Sequence, residues 1–208
     1  MKCAVGANAS SHPPYPKYVE LRDDGRYEFT CKKGHTTVTV LQEQKFEVLF
    51  DLGAYAILDG YYREAVASFT SSLERFYEFF IKASLFEDGL EESAFAETWK
   101  EVSSQSERQL GACIFLYLKC FSERPALLRS KQIKFRNEVI HKGKIPSRSE
   151  AIDYGQAVLE TIRPIMQRTK TALPIGVQQT VFNHLKNSRK QDESQSVTTM
   201  TIATTISL

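Results

Sequence analysis

A group of chemically capable side chains lies at the end of a segment with helical periodicity. Arg136 is followed directly by Asn137, and His141 comes five residues after the arginine. An imidazole suits proton transfer near neutrality, because its charge normally changes between about pH 5 and 8. A guanidinium presents a planar fork of N–H donors that matches the oxygens of a phosphate. These residue types together predict acid–base chemistry at a phosphate group.

The spacing of these residues decides which of them can meet. Asn137 and His141 are four residues apart and share a helix face, whereas Arg136 is five residues from His141 and aligns poorly with it. Gly143 predicts the end of the helix, and we expect the last turn to unwind there and bring Arg136 beside His141. In the alternative interpretation His141 caps the helix C-terminus, where a cation suits the dipole, and Arg136 is a surface ion-pair residue.

The stretch around these residues is strongly basic. Between positions 124 and 148, eight Lys or Arg residues accompany a single acid, Glu138, so the stretch carries +7 while the whole chain carries +2. A solvated helix face usually mixes both signs, which makes an anionic partner such as a phosphate backbone the natural expectation. Alternatively, acidic helices such as 87–101 pack beside the stretch and neutralise it. The candidate backbone contacts are Arg129, Lys131, Lys134, Lys142 and Lys144.

The elements that must position these residues are predicted to be helices. From Gln42 onward, apolar residues recur at three- and four-residue spacing. The longest amphipathic helix is expected over 61–85, and the nearly uninterrupted apolar run 111–121 predicts a helix buried on several sides. Pro125 suits the first turn of the helix that ends near His141. The inward residues predicted for the longest helix are Ala65, Phe69, Leu73, Phe76 and Phe80.

The first 41 residues have a different pattern, which predicts a small β-ribbon. The prolines of 13–16 exclude a helix. Asp23-Asp24-Gly25 predicts the turn of a hairpin between the runs 18–21 and 27–30, and the run 36–40 can add a third strand.

The sequence therefore predicts a mainly α protein in three parts. These parts are a β-ribbon cap (1–41), a helical bundle (42–186) and a disordered tail (187–208). The tail is polar and aperiodic, although its last residues, 197–208, include β-branched side chains that a partner could order.

The cysteines and the N-terminus bear on compartment and metal binding. No apolar stretch is long enough to span a bilayer, and the N-terminus turns polar after Gly6, so a cytoplasmic protein with reduced thiols is expected. Cys31 and His35 are spaced like half of a zinc site, and Cys3 with His12 would have to supply the other half. Since Cys3 has no second cysteine at the spacing of a zinc ribbon, we favour no metal. No cofactor motif stands out either.

The segment Phe135–Gly143 resembles the motif of the HEPN superfamily. That motif is an arginine, usually a polar residue directly after it, and a histidine four to six residues beyond the arginine. It lies at the end of a late helix in a bundle of four or five. The segment Glu64–Phe80 is also similar to the long second helix of such bundles. The resemblance covers roughly 42–170 in architecture but only 135–143 in motif, and it implies an HEPN-like helical bundle.

The resemblance implies a metal-independent endoribonuclease of toxin or phage-defence type, with Arg136, Asn137 and His141 as catalytic residues. Cleavage by attack of the 2′-hydroxyl needs a base, an acid and positive charge on the phosphorane. Because one chain supplies one such histidine, the resemblance implies a homodimer in which two motifs line one cleft. The basic residues named above would contact the RNA. Glu74 is either an internal partner that supports Arg136 or an ordinary solvent-facing residue.

Two other hypotheses from the sequence do not require catalysis. In the first, the chain is an HEPN-like module that binds nucleic acid or a protein through the same basic helix. In the second, it is a subunit controlled by a regulatory partner protein that docks on the β-ribbon. Neither hypothesis involves a membrane.

Overall fold

The computed structural model describes residues 19–30, 34–189 and 197–208. The described residues divide into two compact units, one made of those within 19–42 and 185–201 and the other of residues 43–184 and 202–208. The described residues are mainly helical with a small sheet, which confirms the predicted fold class. Within them, no helix combines the length and the apolar composition needed to cross a membrane.

The central element of the larger unit is the second helix, α2 (Tyr62–Glu87). It packs against the first, fourth, fifth and sixth helices. All five of its predicted inward residues, from Ala65 to Phe80, are buried, which confirms the helical period read from the sequence. The helices of the described residues are α1 (Lys45–Leu58), α2 (Tyr62–Glu87), α3 (Glu92–Trp99), α4 (Ser106–Phe121), α5 (Ser130–Lys142), α6 (Arg148–Ala172) and α7 (Pro174–Arg189).

Two glycines allow close packing around Phe69 of α2. A Cβ atom at Gly53 of α1 or at Gly155 of α6 would lie 2.6 Å from a ring carbon of Phe69. The Phe69 ring is 2 % exposed, and its centroid is 4.8 Å from that of Phe50. The missing side chains therefore let α1 and α6 approach the ring from two sides, which fixes the helices that flank α2.

The smaller unit contains a three-stranded sheet in the order β1-β2-β3, formed by β1 (Arg26–Thr30), β2 (Thr36–Leu41) and β3 (Val197–Met200). β1 and β2 are antiparallel, with Arg26 opposite Val40. β3 lies parallel to β2, with Val38 opposite Val197.

The predicted hairpin between 18–21 and 27–30 is wrong. Residues 19–21 lie outside the strands, and the run 27–30 pairs instead with β2, the run predicted as an added strand. Gly25 (φ +59°) supports the predicted turn, but its carbonyl accepts the N–H of Leu41 at 2.9 Å. The end of β2 therefore lies beside the turn, where the run 18–21 was predicted to pair.

The prediction of a disordered tail is wrong for residues 197–208. In the smaller unit, Thr198 of β3 shares a hydroxyl hydrogen bond with Thr39 (2.9 Å). In the larger unit, three acids spaced by four residues accept backbone N–H groups: Glu43 from Ile202 (2.8 Å), Glu47 from Leu208 (2.7 Å) and Asp51 from Thr205 (3.0 Å). Ile206 is 2 % exposed within the core. These partners lie 154 to 161 residues away in sequence, so local composition did not predict them.

Candidate active site

An open cleft of about 430 Å³ lies where three segments of the larger unit meet. These segments are the middle of α2, the start of α4 with the turn before it, and the end of α5. The residues that line the cleft are Ala67, Thr70, Ser71, Glu74, Ser104, Gln105, Ser106, Glu107, Arg136, Ile140 and His141. The structure therefore brings together Arg136, His141 and Glu74, three residues that the sequence singled out.

Arg136 and His141 both line the cleft from α5, which does not unwind between them. The helix is continuous through Lys142 and ends at Gly143, whose φ is +72° and whose N–H bonds the carbonyl of Glu138. The predicted unwound turn is therefore wrong. Five residues correspond to about 140° around a helix, and Ile140 lines the cleft between the two side chains. Arg136 is half-buried and His141 is exposed, so the cleft extends from the bundle to the outer side of α5.

Asn137, the third predicted catalytic residue, does not line the cleft. Its side chain is half-buried on α5. The predicted trio is therefore reduced to Arg136 and His141, and sharing a helix face with His141 was not enough to place Asn137 with it. Within the part of the chain that the structure describes, the Asn137 side chain forms no hydrogen bond that would assign it a chemical role.

The α2 side of the cleft rests on a buried tyrosine. Thr70 Oγ1 donates to the carbonyl of Val66 (2.8 Å) and lies 2.9 Å from the hydroxyl of Tyr154. Because the one proton of Thr70 is already donated, Tyr154 must be the donor in the second bond. Burial raises the pKa of Tyr154, so its hydroxyl keeps that proton at neutral pH. Thr70 is thereby fixed beneath Glu74, one helical turn away.

The charges of Glu74 and Arg136 act on the same buried groups. Burial raises the pKa of Tyr77 and of Tyr154. For both phenols Glu74 adds to that increase, whereas Arg136 opposes it. A carboxylate and a guanidinium therefore reach the same part of the bundle from α2 and α5. Among the described residues, however, the structure gives neither of them a salt bridge or a side-chain hydrogen bond.

The turn before α4 is held by Gln109, which is 2 % exposed. Its Nε2 donates to the carbonyl of Ser103 (2.8 Å), and its Oε1 accepts from Arg75 Nη2 (3.2 Å). Arg75 also bonds Glu78 at 2.5 Å. This network ties Ser103, in the turn before α4, to Arg75 of α2, the residue that follows Glu74. The sequence analysis missed this side of the cleft, because a turn shows no local sign of which helix it packs against.

The cleft thus contains two carboxylates, one guanidinium and one imidazole. Glu107 lies in the first turn of α4 and is exposed, and the Ser106 hydroxyl donates to its carboxylate at 3.3 Å. Together these groups can accept a proton, donate a proton and stabilise negative charge. That combination suits acid–base transfer chemistry at a phosphate.

The five predicted RNA contacts lie outside the cleft lining. Lys131, Lys134 and Lys142 are exposed, and their spacing places them on one face of α5. His141 comes seven residues after Lys134, which is within about 20° of it around the helix. This basic face therefore borders the cleft at His141. Arg129 is exposed at the N-cap of α5.

Lys144, the fifth predicted contact, has a structural role in the larger unit. Its Nζ donates to Glu150 (2.7 Å), lies 3.8 Å from Glu138, and sits 4.9 Å from the ring centroid of Phe135. Glu150 also accepts the N–H of Ser147 (2.8 Å) in the capping box of α6. Lys144 therefore anchors the loop after His141 to the start of α6.

The loop anchor predicts a pH effect on stability. The hydrogen bond from Lys144, followed by the N–H of Ser147, lowers the pKa of Glu150 from 4.5 to about 2. A carboxyl whose pKa is lower in the folded state stabilises the fold above pH 4.5, and this contribution is lost as pH falls toward 2. We expect Glu150→Gln to reduce the free energy of unfolding at pH 7 and to have little effect near pH 2. Urea unfolding followed by circular dichroism at several pH values checks this, and a reduction independent of pH would contradict it.

The predicted zinc candidates cannot be placed as a group. Cys3, His12 and Cys31 lie outside the described residues, and His35 immediately precedes β2.

Comparison of the chain with protein-family models, with curated proteins and with solved structures finds no match.

Proposed function

We propose that the chain is a metal-independent endoribonuclease that cleaves RNA by attack of the 2′-hydroxyl on the adjacent phosphate. The observation that carries the proposal is the shared cleft of Arg136 and His141, which lie five residues apart on a continuous helix. The cleft presents a proton-transfer group and a phosphate-binding group to the same small volume.

Each of the two side chains has a distinct part in this reaction. His141 transfers a proton to or from the reacting oxygens, since it is exposed at the open edge of the cleft. Arg136 stabilises the charge on the phosphorane, because its half-buried guanidinium has no carboxylate bound to it among the described residues. The basic face formed by Lys131, Lys134 and Lys142 borders the cleft and suits the flanking phosphates.

The reaction also needs a second proton-transfer group. The resemblance to the HEPN superfamily supports a homodimer, in which a second copy of the chain brings a second His141. The same resemblance supports a toxin or phage-defence role in the cytoplasm. A composite site of this kind would make cleavage depend on chain concentration, since dimers form by mass action.

The test uses a labelled DNA oligonucleotide that contains one ribonucleotide, incubated with the purified chain in excess chelator. We expect cleavage only on the 3′ side of that ribonucleotide, because the 2′-hydroxyl is the nucleophile. Mass spectrometry of the products should show a 2′,3′-cyclic phosphate and a 5′-hydroxyl. Cleavage that needs a divalent metal, or that also occurs in the all-DNA control, would contradict the proposal.

The second candidate function is a non-catalytic module that binds nucleic acid. The observation that favours it is that Lys131, Lys134 and Lys142 lie outside the cleft lining, on one exposed face of α5. Binding of RNA without cleavage would support this alternative, with an affinity that falls steeply as salt increases. The salt slope should become shallower by about one for each phosphate contact removed, for example in Lys134→Ala.

A further inference from the structure

We infer that Glu74 is the general base of the proposed cleavage reaction and that His141 is the general acid, both in the cleft of a single chain. This inference rests on the proposed function, the cleavage of RNA by attack of the 2′-hydroxyl, and assigns the second proton-transfer group differently from the homodimer described there. It replaces the second histidine that a composite dimer would have to supply. The observation behind it is that α2 and α5 place a carboxylate and an imidazole in one cleft with Arg136.

Glu74 occupies a rigid place in the bundle. It lies in the middle of α2, next to Leu73, which is buried in the core. Thr70, one turn earlier, is fixed by its bonds to Val66 and Tyr154. Glu74 itself is half-buried and has no salt bridge or side-chain hydrogen bond among the described residues. Its carboxylate is thus held on a fixed backbone with its lone pairs available, as a base requires.

Glu107 is the competing carboxylate, and the structure makes it the weaker candidate. It is exposed in the first turn of α4, and it already accepts a hydrogen bond from Ser106 (3.3 Å). The helix dipole also stabilises a negative charge at this position. Glu74 has neither of these features, since it lies three turns into a helix.

The proton inventory of the proposed step balances within one cleft. The Glu74 carboxylate takes the proton of the 2′-hydroxyl as that oxygen forms its bond to phosphorus. The bond between phosphorus and the 5′-oxygen breaks, and the His141 imidazolium gives its proton to the departing oxygen. Arg136 stabilises the additional negative charge on the phosphorane. The step leaves a neutral imidazole and a protonated carboxyl, and exchange with water restores both groups.

The first experiment compares Glu74→Gln with wild type on the single-ribonucleotide substrate. We expect kcat to fall by about 10²- to 10⁴-fold, the usual loss when a general base is removed. The wild-type rate should rise and then fall with pH, and the variant should lose the acidic limb of that profile. Glu64→Gln is the matched control, because Glu64 is exposed on the same helix and lies outside the cleft lining. Its rate should stay within about threefold of wild type.

The outcomes separate the inference from the proposed function. If wild type does not cleave the substrate, the proposed function fails and the inference fails with it. If wild type cleaves but Glu74→Gln keeps its rate and its acidic limb, only the inference is overturned. Loss of that limb in Glu107→Gln instead would overturn it as well, by assigning the base to Glu107. Thermal unfolding of each variant shows whether a lost rate reflects a lost fold.

The second experiment mixes two inactive variants, Glu74→Gln and His141→Ala. If both groups act within one chain, no active cleft can form from the mixture, and we expect no recovery of cleavage. A composite site that takes one group from each of two chains would regain activity on mixing. Such recovery would overturn the single-chain assignment while leaving the proposed ribonuclease function in place.

Discussion

His141→Ala is expected to lower the rate of RNA cleavage by about 10²- to 10⁴-fold, the usual contribution of one acid–base group. The substitution removes the only imidazole among the residues that line the cleft. Because His141 is exposed, the fold should lose little. Substitutions of exposed side chains usually change the unfolding free energy by no more than about 0.5 kcal/mol, and we expect a loss within that range. Single-turnover cleavage in chelator and urea unfolding measure the two effects separately.

The matched control for this prediction is Lys186→Ala. Lys186 is also exposed in the last turn of a helix, α7, and lies outside the cleft lining. The Lys186→Ala substitution removes a cation from a helix end without removing a proton-transfer group. This variant should therefore cleave RNA at the wild-type rate. Cleavage by His141→Ala at the wild-type rate would remove His141 from the mechanism. Equal losses in both variants would indicate a general effect of charge.

The three- and four-residue spacing of apolar side chains predicted the central helix well, because its buried residues recur with the period of a helix. The run 61–85 corresponds to α2 (Tyr62–Glu87), and the predicted inward residues are buried. The same reasoning failed for α4, where a nearly continuous apolar run predicted burial on several sides. Phe115 is 73 % exposed and Leu118 46 %. A continuous apolar run does not show which face of the helix will be buried. Only the tertiary packing decides which of its side chains are covered.

The sequence predicted the site residues that lie on one helix, α5, but it did not predict all the segments that the fold brings beside them. Arg136 and His141 were singled out by residue type, spacing and the end of their helix at Gly143. Glu74 was proposed as a neighbour through a resemblance, and the cleft includes it. The start of α4 and the turn before it were missed, since the bonds of Gln109 to Arg75 and to Ser103 set the place of this turn. Contacts between distant segments leave no local pattern in the sequence.

Phe69→Ala is expected to cost about 3–5 kcal/mol of unfolding free energy, the usual loss for a buried phenylalanine. The Phe69 ring is 2 % exposed and packs against Phe50, with Gly53 and Gly155 on its two sides. Since whole domains are stable by about 5–15 kcal/mol, this loss should remove at least about a fifth of the unfolding free energy. Phe115→Ala is the matched control, because that ring is 73 % exposed. It should change stability by no more than about 0.5 kcal/mol.

The contact between Gly155 and Phe69 allows a stricter test of this packing than Phe69→Ala alone. Gly155→Ala places a Cβ atom 2.6 Å from a ring carbon of Phe69, so the helices must separate or the ring must move. Overpacking of this kind costs about 1–3 kcal/mol. In the double variant Phe69→Ala/Gly155→Ala the added methyl group meets an empty space, so the total loss should be smaller than the sum of the two single losses. Urea unfolding of the four proteins gives the coupling energy directly. Additive losses would show that the contact between Phe69 and Gly155 does not set the distance between α2 and α6.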